Sequence, residues 1–99
     1  MAHRIDVQAD ADLDEIWLYI ARESSSLYVA SRVVDDICDR FYMLARFPYA
    51  GRSRHAELGP GTRTFPVGEY IIVYRIVEDE VFILRVVHGK RNLYGFLGS

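Results

Sequence analysis

The hydrophobic pattern of this chain changes period partway along, and that change limits the folds open to it. Leu13, Ile16, Trp17 and Ile20 follow the three-and-four spacing of one buried helical stripe, and Ala30, Val33, Val34, Ile37, Phe41 and Leu44 repeat it over a longer segment. After loop chemistry from Tyr49 to Gly61 come three runs rich in β-branched and aromatic residues: Thr62 to Val67, Tyr70 to Val77 and Val81 to Val87. Helical spacing first and extended runs afterwards predict an α+β domain.

Local signals bound the elements. Residues 3 to 7 alternate polar and apolar and predict a short N-terminal strand. Asp10 or Asp12 can cap the first helix, which should end near Glu23. Ser24-Ser25-Ser26 supplies a break and a new cap, and Pro48 stops the second helix, so the two form an antiparallel helical hairpin. No helix is expected to survive Gly59-Pro60-Gly61. Gly68-Glu69 and Glu78-Asp79-Glu80 are turns, which makes the later runs an antiparallel β-meander. Tyr70 to Tyr74 is apolar on both faces and reads as an interior strand. The C-terminal tail from Asn92 to Ser99, with Leu93, Tyr94, Phe96 and Leu97, is expected to pack as an extended flap. At 99 residues, residues 1–99 make a single domain.

Composition then narrows the function. A domain of this size buries only roughly 60–70% of its unfolded surface. With 51% hydrophobic residues, some apolar surface is left over, which implies a partner. The apolar runs fall far short of the ~20 residues that span a bilayer, and the first residues lack a signal peptide's apolar core, so no membrane association and a cytoplasmic location are expected. Cys38 stands alone, which rules out an intramolecular disulfide and reads as core filler. His3, His55 and His88 are too widely spaced to support a zinc site. Neither a phosphate-cradling glycine loop nor a Gly-x-Ser-x-Gly elbow occurs, so neither metal nor cofactor is expected.

The remaining candidates for chemistry are basic. Residues 1–50 hold five bases against nine acids, residues 51–99 seven against five, and every base except Lys90 is an arginine. Arg52 and Arg54 lie in the loop, Arg63 in the first meander strand, and His88-Gly89-Lys90-Arg91 directly after the last. If register brings them together, an imidazole beside guanidinium groups can do acid–base work on a phosphodiester, with Arg63, His88 and Arg91 as the catalytic set. The alternative is that His88 closes its strand through a backbone hydrogen bond while the arginines are solvated or paired.

Five segments carry a resemblance. Ala11 to Ile20, Pro48-Tyr49-Ala50-Gly51-Arg52, Pro60 to Phe65, Tyr70 to Arg75 and Arg85 to Arg91 together resemble the ParE branch of the RelE/ParE toxin superfamily over nearly the whole chain. The resemblance implies a RelE/ParE-like fold and the toxin of a type II toxin–antitoxin pair. Its partner would be a ParD-like antitoxin that folds on binding. Candidate antitoxin contacts are Trp17, Tyr19, Phe41 or the apolar meander, with Trp17 and Phe41 also on the buried stripes.

RelE-type relatives cut mRNA on the ribosome with basic strand residues, where this chain has Thr62, Thr64 and Ile71. Those side chains cannot stabilise a phosphorane-like charge. The resemblance therefore favours a noncatalytic inhibitor of DNA gyrase that stabilises its cleaved complex, with no catalytic residues and no sequence-specific nucleic-acid binding by the toxin alone. Target contacts would be Arg52, Arg54, Arg63, Lys90, Arg91, Leu93, Tyr94, Phe96 and Leu97. The alternatives are a ribosome-dependent endoribonuclease and a nontoxic corepressor that binds antitoxin.

Overall fold

A computed structural model describes residues 2–90. Strand β1 (His3–Ile5) is shorter than the alternation predicts, because Asp6 already caps the next helix. Its backbone is extended and its carboxylate accepts the Gln8 N–H at 2.9 Å. Helix α1 (Val7–Ser24) thus begins ahead of the expected cap at Asp10 or Asp12. Three aspartates compete for that role; the one at the strand exit wins, since only there are the first-turn N–H groups still unpaired. Ser25 takes a left-handed conformation (φ 54°), and the Ser26 hydroxyl accepts the Val29 N–H at 3.1 Å to start helix α2 (Leu27–Arg46). The serine triplet works as read from the sequence.

The stretch from Tyr49 to Gly61 holds more regular structure than its composition indicates. A 3-10 turn (Pro48–Ala50) leads into strand β2 (Arg52–Ser53) and a single helical turn, α3 (His55–Leu58). One turn fits because Gly59, at φ 102°, ends it at once.

Strands β3 (Thr62–Val67) and β4 (Tyr70–Val77) fall on the expected ranges. Strand β5 (Glu80–His88) extends one residue past the apolar run at each end. The sheet order is β1-β5-β4-β3-β2, with β1 parallel to β5 and every other pair antiparallel. β4 is therefore interior, as its two apolar faces require. The helical hairpin lies on one face, where Leu13, Ile16, Ile37, Phe41 and Leu44 pack against Ile72, Tyr74, Val81, Ile83 and Val86. Cys38 packs beside this cluster, and burial together with Asp35, Asp39 and Asp10 pushes its thiol pKa up, which keeps it protonated and unreactive.

The β4–β5 turn shows local strain. Glu78 (φ 49°) and Asp79 (φ 64°) both occupy the left-handed region, the pattern of a type I′ hairpin, with residues that prefer it less than Asn-Gly. Replacing the pair by Asn-Gly should stabilise the fold by about 1 kcal/mol and raise the melting temperature by roughly 4–8 °C. An unchanged or lower thermal midpoint would contradict this account of the turn.

One tie joins the helical layer to the sheet. Between Val73↔Arg85 and Tyr74↔Ile83 the register slips, leaving Leu84 as a bulge in β5. The Val86 N–H is then met by the Asp12 carboxylate at 2.9 Å, and the same carboxylate takes two hydrogen bonds from Arg85 at 2.8 and 3.0 Å. The aspartate offered as a helix cap is thus the clamp between α1 and β5.

Candidate target-contact surface

The Pro48–Ser53 segment, which carries one of the family-like motifs, is held from below by the sheet. Tyr74 is wholly buried in β4; its hydroxyl donates to the Pro48 carbonyl at 2.6 Å and accepts the Gly51 N–H at 2.9 Å. Burial is the main cause that pushes the Tyr74 phenol pKa above its ordinary value, so it remains a donor. Arg63 reaches back from β3 to donate to the Gly51 carbonyl at 2.6 Å, and its guanidinium lies 4.9 Å over the Tyr49 ring. Arg52 follows directly and is exposed. Arg54 is half-buried and donates from Nε to Thr64 Oγ1 at 3.0 Å.

Of the predicted contacts, the structure therefore gathers Arg52, Arg54 and Arg63 around one turn. Only Arg52 among them lacks a hydrogen bond holding its side chain to the described protein; Arg54 and Arg63 also serve the fold. The strand positions that are basic in nucleases of similar plan are engaged here too. Thr62 is 3% exposed and donates to the Leu58 carbonyl at 3.3 Å; Thr64 is 4% exposed and accepts from Arg54.

His88 and Lys90 sit elsewhere. Arg63 pairs with Tyr74 near one end of the sheet, whereas His88 pairs with Tyr70 four residues away along β4, on the strand at its other side. At standard strand spacings the two backbones are about 16 Å apart. The possible convergence of Arg63 and His88 on one phosphodiester is therefore not realised in this register. His88 instead closes β5: its Nδ1 accepts the Lys90 N–H at 3.2 Å, its ring meets Tyr70 edge-on at 5.5 Å, and Nε2 lies 3.9 Å from Glu69. Arg91, Leu93, Tyr94, Phe96 and Leu97 lie outside the described residues.

Beside the β3–β4 turn, the helical hairpin and sheet leave a groove of about 380 Å³. Tyr19, Ile20, Val33 and Val67 line it, and Asp36 and Glu69 also border it. Of the aromatic residues considered for partner contact, Tyr19 is 44% exposed, whereas Phe41 is buried in the core. Trp17 is half-buried and its Nε1 donates to Ser31 Oγ at 3.2 Å. Among the described residues no helix is long and apolar enough to cross a membrane.

Sequence reasoning missed the roles of three residues, two that hold this surface and one that ties the helices to the sheet. Gly51 was visible only as part of a motif, Tyr74 as one apolar position among five, and Asp12 as a cap. Each acts through a partner remote in sequence, a relation that local pattern does not encode.

A helical hairpin laid on a sheet of this order defines the architecture of RelE/ParE-like toxins. The fold matches that of the chromosomal ParDE toxin–antitoxin system from P. aeruginosa with a TM-score of 0.76, at 27% identity over 89% of this chain and 95% of that one. It also matches the toxin–antitoxin complex RelBE2 from Mycobacterium tuberculosis, with a TM-score of 0.66 at 23% identity over 88% of this chain and 95% of that one, a likeness of fold alone. In sequence the chain is 38% identical to Toxin ParE3 of Caulobacter vibrioides over 89% of its length and 86% of the relative. It is 30% identical to Toxin ParE1 of the same organism over 97% of both. The family model described as ParE toxin of type II toxin–antitoxin system, parDE, matches residues 4–93, and the chain belongs to that family.

Proposed function

We propose that this toxin acts by binding DNA gyrase and stabilising its cleaved DNA complex, and that a ParD-like antitoxin neutralises it. The observation that carries the reading is the state of Thr62 and Thr64: where the RelE-type pattern calls for cations, these side chains are neutral, buried and hydrogen-bonded into the fold. A binding mode of action needs no such cations; phosphodiester cleavage does. The antitoxin reading is supported by membership of the family and by the ParDE system that the fold matches. The groove between hairpin and sheet suits the apolar side of an antitoxin segment, with Asp36 and Glu69 placed to attract its basic residues.

Purified toxin added to gyrase and relaxed plasmid should block supercoiling and accumulate linear DNA, and the cognate antitoxin should reverse both effects. Undiminished supercoiling at excess toxin would remove the gyrase reading. New codon-phased mRNA ends in a translating extract would replace it with ribosomal cleavage.

A further inference from the structure

From Arg40 to Ala56 the chain carries Arg40, Arg46, Arg52 and Arg54 and no carboxylate, although acids outnumber bases over the whole sequence. Three large rings in this stretch face water: Tyr42, 70% exposed, meets His3 edge-on at 4.8 Å, and at the turn beyond it stand Phe47, 57% exposed, and Tyr49, 71%. Each of the two rings at the turn has a guanidinium over it, that of Arg46 at 5.6 Å from the Phe47 ring and that of Arg63 at 4.9 Å from the Tyr49 ring. Among the described residues, the ion pairs of arginines involve Arg4 and Arg85, and none of Arg46, Arg52, Arg54 and Arg63 is neutralised by a carboxylate. The turn that presents the rings is firmly held, by the Tyr74 hydroxyl at Pro48 and Gly51 and by Arg63 at Gly51. Exposed aromatic rings on a firmly held turn, among arginines without a carboxylate partner, form a stacking platform with a local excess of positive charge.

We propose that this corner binds single-stranded nucleic acid without sequence preference, Phe47 and Tyr49 stacking on unpaired bases while Arg46 and Arg52 contact the flanking phosphates. The chemistry selects an unpaired strand because a base offers its face to a side chain only when it is out of the duplex stack. Every base has such a face, so the contact is tolerant of sequence. Each ring has an arginine over it, and its residue still keeps more than half of its surface in water, which leaves area on which a base can stack. The proposal is independent of gyrase as target, since both opened DNA and messenger RNA present unpaired strands.

The test uses the full-length toxin and fluorescein-labelled strands of about 12 nucleotides, oligo(dT) and oligo(U), beside a duplex of the same length, read by anisotropy. Either single strand should bind at least tenfold more tightly than the duplex; tighter oligo(dT) would name DNA as the source of the strand and tighter oligo(U) would name RNA. Tyr49→Ala and Phe47→Ala should each weaken binding by about 5- to 100-fold, while Tyr49→Phe retains it. Arg52→Gln should lower the slope of affinity against salt, between roughly 50 and 200 mM, by about 0.7. The rings are exposed, so the alanine variants should melt like the parent, and a melting curve on each keeps loss of binding distinct from loss of fold. Equal affinity for duplex and single strand, or parental binding by Tyr49→Ala, would overturn the proposal. No gyrase is present, so the result stands apart from that of the supercoiling assay.

Discussion

Asp12→Ala should destabilise the fold by about 2–4 kcal/mol and lower the melting temperature by roughly 10–25 °C. The substitution removes three acceptor contacts at once. The Val86 N–H loses its partner at a place where the bulge has already withdrawn β5 from the ladder, and Arg85, with 34% of its side chain exposed, loses both hydrogen bonds to the carboxylate. The partial exposure of Arg85 keeps the figure below that of a fully buried pair. Asp12→Asn preserves an acceptor for the Val86 N–H and should cost about half as much. The hydrogen bond to Asp12 raises the Arg85 pKa. A group whose pKa rises on folding gives its stabilisation below its unfolded value, so alkali short of guanidinium titration should leave the Arg85 contribution intact. A midpoint for Asp12→Ala within about 3 °C of the parent would show that the clamp adds little.

The second large effect is expected at Gly51. Its φ of −78° is open to any residue, so the requirement for glycine is one of space. A Cβ there would lie 2.7 Å from the Thr64 carbonyl oxygen and would collide with the Tyr74 hydroxyl. Gly51→Ala must therefore push the turn off the sheet or break the hydroxyl's bonds, at a cost of about 2–4 kcal/mol. Tyr74→Phe attacks the same joint from the other side. It leaves the buried Gly51 N–H and the Pro48 carbonyl without their partner, which should cost about 2 kcal/mol. Because both substitutions break one joint, the double variant should cost clearly less than the sum. Urea unfolding of the four proteins checks this, and strict additivity would mean that the residues act separately.

The limits of β3 and β4, the serine joint and the interior place of β4 were all legible because each follows from residues close together in the chain. A stripe at helical spacing, a run of β-branched residues or a serine that can cap a helix states its preference locally. The start of α1 was misread for the same reason: three aspartates offer the same local chemistry, and only the end of β1 selects among them.

The contact surface was legible to a smaller degree. Arg52, Arg54 and Arg63 were singled out and meet at one turn, yet two of them are bound to the fold, and His88 closes a strand far from Arg63. The sequence by itself determined the two layers and the main elements that build them, since these depend on residue type and spacing; the shortage of cations at the nuclease positions was visible only through the family resemblance. Tertiary structure alone decided which aspartate clamps α1 to β5, that Tyr74 and Gly51 lock the Pro48 turn, and that two rings stay in water beside unneutralised arginines. Those outcomes depend on strand register and on the bulge at Leu84, where a slip of one residue turns a side chain to the opposite face.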